Sequence, residues 1–258
     1  MKKYRFSIDD NIYVFKDLAK NNYNSIFESS YLSLLRSIHN DFGTKIQLNI
    51  YYETQGFNLS EMPDKYKAEF ESVSDWLKLS FHAYSDESRY NNCDYETMKN
   101  DVELVHNEIR RFAGEKSLSY YTTLHYVACP KDGVLAMKDA GIKGLVGLYG
   151  TDEKPRIPYH LTDEISACMR SNCFYNDAET DMMFMRNDIV LNEHKYENII
   201  SELDKKIGNE FIEVMIHEQF YYPTYKWYQG RFADKIILAI EHLSNNGYEP
   251  TFFEGIFE

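Results

Sequence analysis

"LKLSFHAYSDESRY", residues 77–90, contains the strand from which the fold of this chain can be worked out. Apolar and polar residues alternate from Leu77 onward, which is typical of a β-strand. The run stops at His82, and Asp86 follows four residues later. A long amphipathic helix is predicted next, over 95–114, with Gly114 as its stop signal. The stretch therefore predicts a βα unit whose strand ends on an imidazole.

The same order of strand and helix recurs on both sides of this unit. Further strands are predicted at "YRFSID" (4–9), "KIQLNIYYE" (45–53), "LSYYTTLHYVA" (118–128), "IKGLVGLYG" (142–150) and "FIEVMIH" (211–217). Helices between successive strands imply parallel strands joined by right-handed crossovers. No linker rich in Pro, Gly or Ser divides the chain, so residues 1–258 are predicted to form a single α/β domain. The pattern loosens over 151–192, where we expect a loop or hairpin insertion.

Composition and charge narrow the range of partners. The chain has 258 residues, with 28 Lys and Arg against 41 Asp and Glu, and a net charge of −13. No basic stripe is present to contact phosphates, so no nucleic-acid partner is expected. No run of about 18 apolar residues exists, so no membrane partner is expected either. A metal cation or a neutral polar substrate fits the charge better, and the oligomeric state is left open.

The cysteines and the start of the chain indicate a reducing, cytoplasmic setting. The four cysteines form no C-x-x-C pair and are too few for a disulfide framework in a chain of 258 residues. The first residues, "MKKYRFSIDD", lack the apolar segment of a signal peptide.

Acidic and imidazole side chains stand where several predicted strands end. Asp9 and Asp10 end the first strand, His82 ends the third, and His125 and His217 lie near the ends of two later ones. Functional groups in parallel α/β folds gather at the carboxyl ends of strands. We therefore expect these side chains on one face of the sheet.

The spacing of His82 and Asp86 has a metal-binding interpretation. On an extended strand the two side chains would lie too far apart to share an ion. A helical turn after Ala83 would bring them within about 6 Å, and Asp10 could supply a third ligand. Such a set of one nitrogen and two oxygens suits zinc, or iron, cobalt or manganese.

Each of these residues also has a structural interpretation. Adjacent Asp residues after a strand often cap a helix or a turn, and Asp86 could do the same for the next segment. His82 could be a hydrogen-bonded core or loop histidine. His125 could be a packed strand residue.

A loop rich in aromatic residues, 220–232, follows His217 directly. The loop would lie over the carboxyl ends of the strands, where its rings could stack on sugar faces. His125, Tyr222 and Trp227 are the candidate substrate-binding residues. A hydrophobic lid or a subunit interface would explain the loop equally well.

The motifs "FSIDD", "LSFHAYSD", "LHYVACPKDGVLAMKDAGIKGLVG" and "VMIHE", in this order, resemble the polysaccharide deacetylase family of carbohydrate esterases. The resemblance covers 4–10, 77–150 and 211–253. It implies a distorted (β/α) barrel with mostly parallel strands, and a divalent metal that activates water against an N-acetyl or similar amide. It also implies that Asp9 is the catalytic base, Asp10 a metal ligand and His217 the general acid.

Two positions depart from the family pattern. The family has His, three residues and a second His, whereas this chain has His82 and Asp86, so the implied metal ligands are Asp10, His82 and Asp86. Three such ligands supply a charge of −2 instead of −1, which strengthens the hold on a hard cation. The arginine that orients the base in the family is also missing, because His125 or Tyr126 stands where it is expected.

The sequence therefore predicts a metal-dependent hydrolase of C–N bonds that deacetylates an N-acylated sugar or oligosaccharide, with zinc as the expected ion. The alternative is a catalytically impaired, carbohydrate-binding barrel of the same fold. A third possibility is a glycoside hydrolase that uses Asp9 or Asp10 with a second acid. It requires the two carboxyl groups to lie about 5–5.5 Å or about 6.5–9.5 Å apart.

Overall fold

The structure is a computed structural model that describes residues 2–257. Its strands are β1 (Lys2–Asn11), β2 (Ile46–Tyr51), β3 (Glu53–Thr54), β4 (Phe57–Asn58), β5 (Leu77–Ala83), β6 (Tyr121–Thr122), β7 (Gly144–Gly147), β8 (Phe174–Asp177), β9 (Met182–Arg186), β10 (Ile189–Val190), β11 (Phe211–His217) and β12 (Tyr248–Pro250). Its helices are α1 (Tyr13–Asn21), α2 (Ser30–Phe42), α3 (Lys67–Ser72), α4 (Tyr95–Phe112), α5 (Lys131–Asp139), α6 (Asp163–Met169), α7 (Ile199–Asp204), α8 (Phe232–Asn245) and α9 (Glu254–Phe257).

The larger sheet is parallel throughout. Its strands follow the order β10–β11–β1–β2–β5, and β12 pairs with the start of β1. Helices follow or precede most of these strands, as parallel connections require. The prediction of an α/β fold with a mostly parallel sheet is confirmed.

The second sheet has the order β6–β7–β9–β8, with β8 antiparallel to β9 and the other pairs parallel. A parallel bridge between Leu79 and Leu118 connects β5 to the residues before β6. At the other end the chain passes from β9 into β10, where the N–H of Asp188 donates to the carbonyl of Glu213 at 3.0 Å. The strands of the two sheets thus follow one another around a common interior, as in a distorted barrel.

Two segments differ in detail from the sequence prediction. The strand expected over 118–128 is reduced to β6, and a 3-10 turn (His125–Val127) follows it. The hydroxyl of Thr122 donates to the carbonyl of Phe81. A side-chain hydrogen bond thus joins β6 to β5 where a regular sheet would have a backbone hydrogen bond. Within 151–192 the structure has α6 and the β8–β9 hairpin, and β9 joins the second sheet beside β7.

The central strand β1 is buried on both faces. Tyr4, Phe6 and Ile8 are fully buried in the main apolar core, which also contains the apolar faces of the helices. The alternate residues Arg5 and Ser7, fully buried too, contact Glu213 of β11. The alternation in this strand therefore separates an apolar layer under the helices from a polar barrel interior.

Aromatic residues close the end of the barrel at which the strands begin. The ring of Phe253 lies 4.5 Å from the guanidinium of Arg5 and packs against Tyr121 and Phe211. The helix α9 follows directly. The carboxyl ends of the strands, at the opposite end, are left to carry the polar pocket described next.

Across residues 2–257, no helix combines the length and the apolar character that crossing a membrane requires. All four cysteines are unpaired.

Candidate active site

Asp9 and Asp10 both line one pocket, although neighbouring residues of a strand normally face opposite sides. The backbone explains the exception. Asp10 has a left-handed φ of 63°, and the pairing of β1 with β2 shifts register between Ile8 and Asn11. This β-bulge turns the second carboxylate toward the side that the first one faces. Both side chains are almost fully buried.

The carboxylate of Asp10 is surrounded by polar atoms from four other strand ends and loops. Its Oδ1 lies 3.0 Å from Nε2 of His82 and 3.5 Å from Nδ1 of His125. The hydroxyl of Tyr51 also donates to this oxygen. Oδ2 accepts a hydrogen bond of 2.5 Å from the amide of Gln219. Burial by itself raises the pKa of Asp10, but the neighbouring His125, His217 and His82 hold it well below its usual range.

One nitrogen of each imidazole contacts a backbone carbonyl. Nδ1 of His82 lies 2.6 Å from the carbonyl of Thr123, and Nε2 of His125 lies 3.2 Å from the carbonyl of Asp86. A carbonyl only accepts, so both of these nitrogens are N–H donors. In a neutral ring the other nitrogen has a lone pair that can bind a metal, whereas a protonated ring donates to Asp10 and lowers the pKa of that carboxyl. Burial also lowers the pKa of His82, which favours its neutral form.

Asp10, His82 and His125 fit a divalent cation. Their ligand atoms all lie within 4.8 Å of one another. Ligands at about 2.1 Å from zinc with tetrahedral angles are about 3.4 Å apart, close to the 3.0 and 3.5 Å distances from Asp10 to the two imidazoles. The carbonyls of Thr123 and Asp86 orient the rings from behind, as outer partners of metal-binding histidines do.

Of the sequence-predicted ligands, the structure brings Asp10 and His82 together but not Asp86. No helix follows Ala83 until α4 begins at Tyr95, so the helical turn expected for His82 and Asp86 does not form. Asp86 is exposed, and its backbone carbonyl contacts the site while its carboxylate is not part of the group. His125, predicted as a substrate-binding residue, takes the third position. The sequence signal for His125 was its position shortly after the end of β6, the strand that follows β5 in the barrel.

Asp9 is held by a chain of buried amides. Nδ2 of Asn49 donates to Oδ1 of Asp9 at 2.6 Å, and Oδ1 of Asn49 accepts from Gln47 at 2.7 Å. Gln47 in turn donates to the carbonyl of Tyr121 at 2.6 Å. Burial raises the pKa of Asp9 well above its usual range, against the opposing effect of Asn49. A raised pKa makes the ionised carboxylate a stronger base.

His217 lies beside Asp9, because the two residues are register partners in β11 and β1. Its backbone N–H and its Nδ1 both contact Oδ1 of Asn192, at 3.1 and 2.9 Å. A backbone N–H only donates, so the Asn192 atom is an acceptor and Nδ1 of His217 carries a proton. Nε2 of His217 remains for the pocket, which this residue lines.

The pocket that contains these groups has a volume of about 330 Å³ and is also lined by Tyr126, Tyr225 and Arg156. A second cavity of about 200 Å³ adjoins it and shares Asp10, His125, Tyr126 and Tyr225. Sequence reasoning did not single out Tyr225 or Arg156. The position of Arg156 depends on the irregular chain after β7, which no periodicity reveals.

The two aromatic residues predicted to bind substrate lie in different surroundings. The ring of Tyr222 stacks on that of Tyr13 at 4.9 Å, and its hydroxyl donates to Glu218. Its side chain is therefore used in packing the loop against the start of α1. Trp227 is 58% exposed, and its ring lies 5.6 Å from that of Tyr225, which does line the pocket.

No protein-family model and no curated protein matches the sequence. Solved structures align over nearly the whole chain. A peptidoglycan N-acetylglucosamine deacetylase is 12% identical with a TM-score of 0.57, over 99% of this chain and 87% of that one. A family 4 acetyl xylan esterase from Clostridium thermocellum, in complex with a cobalt ion, is 9% identical with a TM-score of 0.57, over 99% and 90%.

A CE4 family pseudoenzyme from Bacillus anthracis also aligns. It is 8% identical with a TM-score of 0.53, over 96% of this chain and 63% of that one. At these identities the likeness concerns the fold. The resemblance to the polysaccharide deacetylases is confirmed at that level.

Proposed function

We propose that this chain, which has the fold of the polysaccharide deacetylases, is a metal-dependent hydrolase that removes the N-acyl group of a sugar or an oligosaccharide. One observation carries the proposal. Oδ1 of Asp10, Nε2 of His82 and Nδ1 of His125 lie within 4.8 Å of one another, and all three are acceptors when the imidazoles are neutral. A divalent cation satisfies all three acceptors at once.

Such a cation, when bound, polarises an acyl carbonyl and makes water more acidic. We infer that Asp9 receives the proton that the attacking water loses; its position in the same pocket as the three ligands and the raised pKa of its buried carboxyl support this role. Asn49 keeps this carboxylate in one orientation.

We infer that His217 protonates the departing amine. Asn192 fixes its Nδ1, so the ring presents Nε2 to the pocket on the side of Asp9. The base and the acid thus stand on adjacent strands, and each is held by an asparagine. Together they would take a proton from water and deliver one to the nitrogen whose C–N bond breaks.

Zinc is the ion we infer, with iron, cobalt or manganese as alternatives. Two imidazoles and one carboxylate suit all four ions. A cobalt ion in the esterase that shares this fold supports the inference. A carbohydrate substrate is supported by the named substrates of the peptidoglycan and xylan enzymes. Tyr126 and Tyr225 supply rings at the pocket on which a sugar can stack.

The test compares the wild type with Asp9→Asn, His82→Ala and, as a matched surface control, Asp41→Asn. Acetate release from N-acetylated chito-oligosaccharides and the metal content are measured for each protein. We expect Asp9→Asn to keep its metal and lose at least about a thousandfold in turnover, since the base is removed. His82→Ala should lose the metal, and Asp41→Asn should match the wild type.

Turnover retained in Asp9→Asn would remove this residue from the role of base. Release of acetate from O-acetyl esters but not from N-acetyl sugars would contradict the C–N specificity. A wild type purified with excess zinc that holds no metal would contradict the metal-dependent mechanism.

A second candidate is a carbohydrate-binding barrel with impaired catalysis. Asp9 has a neutral asparagine as its partner, without the arginine that the family resemblance implies, and a pseudoenzyme is among the structures that share the fold. Saccharide affinity in a calorimetric titration, without metal and without acetate release, would favour this candidate.

A further inference from the structure

A lysine lies on the buried face of α8. Helical spacing places apolar side chains on such a face, and Lys235 is the exception. It is 6% exposed, and burial, opposed by Glu197, lowers the pKa of its ammonium. Lysine is seldom buried without a charged partner, yet within residues 2–257 no carboxylate forms an ion pair with Lys235. The buried residues of this helix are Phe232, Lys235, Ile236, Ala239, Ile240 and Leu243.

Three oxygen atoms surround the ammonium of Lys235. Its Nζ donates to the carbonyl of His194 and to Oε1 of Gln229, both at 2.6 Å, and contacts the carbonyl of Leu191 at 3.4 Å. Nε2 of Gln229 donates in turn to the carbonyl of Asn192 at 2.9 Å. The three carbonyls belong to the 3-10 turn that follows β10 and to the residue after it. The lysine and the glutamine together fix the position of this turn.

The turn carries the side chain that orients the proposed general acid. Oδ1 of Asn192 accepts from the backbone N–H of His217 at 3.1 Å and contacts its Nδ1 at 2.9 Å. The hydrogen bond that one nitrogen of an imidazole makes determines which nitrogen carries the proton. A displaced turn would move the Asn192 amide away from His217, and the ring would then be free to rotate and to change its tautomer.

The same contacts connect the turn to the aromatic loop over 220–232. The backbone N–H of Gln229 donates to the carbonyl of Phe220 at 2.9 Å, which closes the loop at its base. Tyr225, between these two residues, lines the pocket. Through Gln229, the loop that contributes rings to the pocket and the turn that orients His217 are therefore held as one unit.

We propose that Lys235 is a positioning residue for His217, because its buried ammonium fixes Gln229 and the turn that carries Asn192. The proposal rests on the role of general acid inferred above for His217. An ammonium suits this position, since it offers three donors and no acceptor to a site of three oxygens. An apolar residue would suit the buried face of α8 but would leave those oxygens without their donor.

The experiment compares the wild type with Lys235→Met, Gln229→Ala and Lys65→Met. Methionine removes the charge and the donors from an unbranched side chain. Gln229→Ala breaks the contact with Asn192 and keeps the lysine, so it decides the question if Lys235→Met does not fold. Lys65 is the control, because its Nζ also donates to two backbone carbonyls, which lie outside the pocket. Circular dichroism verifies folding.

Two properties are measured for each protein. Long-range ¹H–¹⁵N NMR spectra of protein with labelled histidines show which nitrogen of each ring carries the proton, and the spectrum of His217→Gln assigns the signals of His217. These spectra are recorded with and without zinc at pH 8, where neutral imidazole prevails. Acetate release from an N-acetylated oligosaccharide gives kcat.

We expect the Nδ1–H form of His217 in the wild type and in Lys65→Met, and a mixture of the two tautomers in Lys235→Met and Gln229→Ala. In these two variants kcat should fall about 10- to 100-fold, because the acid is misplaced. An unchanged tautomer in the folded variants would overturn the positioning role and leave the proposed function standing. No acetate release by the wild type would overturn the proposed function, and the spectra would then test the positioning by themselves.

Discussion

At the scale of single residues, the site depends on the backbone of Asp10. A left-handed φ costs an ordinary L-residue about 1–2 kcal/mol, and Asp and Asn adopt it more readily than most. The observed φ of 63° lets Asp10 leave the plane of β1 and meet His82 and Gln219. Asp9 keeps the regular strand direction and faces the interior. Adjacent carboxylates thereby acquire different neighbours and different proposed roles.

The first prediction concerns Asn49, which positions Asp9. Asn49→Ala removes the 2.6 Å hydrogen bond to Asp9 and frees the carboxylate to rotate. We expect kcat on an N-acetylated oligosaccharide to fall about 10- to 100-fold, with KM and metal content close to those of the wild type. Steady-state kinetics and elemental analysis measure both.

Asn187→Ala is the control, because Asn187 is also a buried asparagine but has no contact with Asp9. An unchanged kcat in Asn49→Ala, or an equal fall in both variants, would show that the bond to Asp9 is not what matters.

Several site residues could be predicted from sequence because they end regular strands. Asp10, His82 and His217 were identified in this way. His125 and Asp86 lie in irregular segments, and neither spacing nor periodicity shows which of them reaches the cluster. Tyr51, whose hydroxyl donates to Asp10, was missed for a different reason: it lies within the strand predicted over 45–53, and aromatic rings were considered only as surfaces on which sugars stack.

At the scale of elements, Glu218 ties the end of β11 to the start of α1. Its buried carboxylate accepts from the backbone N–H groups of Ile12, Tyr13 and Val14 at 2.6, 2.9 and 2.7 Å. These are donors that the first turn of a helix leaves without partners in the helix. The strand that carries His217 is thus fixed to the helix that follows Asp10, which holds the two sides of the pocket together.

The second prediction follows from this connection. Glu218→Ala leaves two buried N–H groups and the partly buried one of Tyr13 without acceptors, so the free energy of unfolding should fall by about 3 kcal/mol. Urea unfolding measures it. Asp94→Ala, which removes an exposed N-cap hydrogen bond of 2.7 Å to Thr97 in α4, should cost about 1 kcal/mol. Equal losses in the two variants would mean that the buried carboxylate is not a special support for α1.

Strands could be predicted from the sequence where apolar residues alternate with polar ones or dominate a short run. The strands at 77–83 and 211–217 coincide with β5 and β11. The strand expected over 118–128 was too long, because Thr122 bonds through its hydroxyl and the chain then turns with positive φ at Tyr126 and Val127. A run of Tyr and Thr contains no signal for such a turn.

At the scale of the whole molecule, two buried layers lie on opposite faces of the same strands. The helices cover one face with apolar residues, and the barrel interior holds polar residues such as Ser7, Gln47 and Asn49. Sequence alternation predicted that strands occur in these segments, although the strand over 118–128 was predicted too long. It could not show that the polar face is buried, because in most sheets a polar face meets water.

The third prediction concerns the pH dependence of stability. His106 in α4 is 1% exposed, and burial, aided by Arg110 and opposed by Glu115, lowers its pKa to about 4. Its ordinary pKa is about 6.5, so the folded state favours the neutral ring. The stability that it contributes is fully present above pH 6.5 and is lost as the pH falls toward 4.

Between pH 7 and 4.5 the wild type should therefore lose about 2 kcal/mol more than His106→Gln, whose side chain stays neutral. Urea unfolding of both proteins at several pH values gives the difference. Parallel curves for the two proteins would contradict the prediction.

The ion pair of Arg5 with Glu213 restricts when the protein can fold during synthesis. The two residues lie 208 positions apart and are both fully buried. A ribosome releases β1 long before it makes β11, so the guanidinium of Arg5 has no partner while most of the chain emerges. Burial of that charge alone is strongly unfavourable. The nascent chain must therefore keep Arg5 in its first strand hydrated until Glu213 in β11 has been translated.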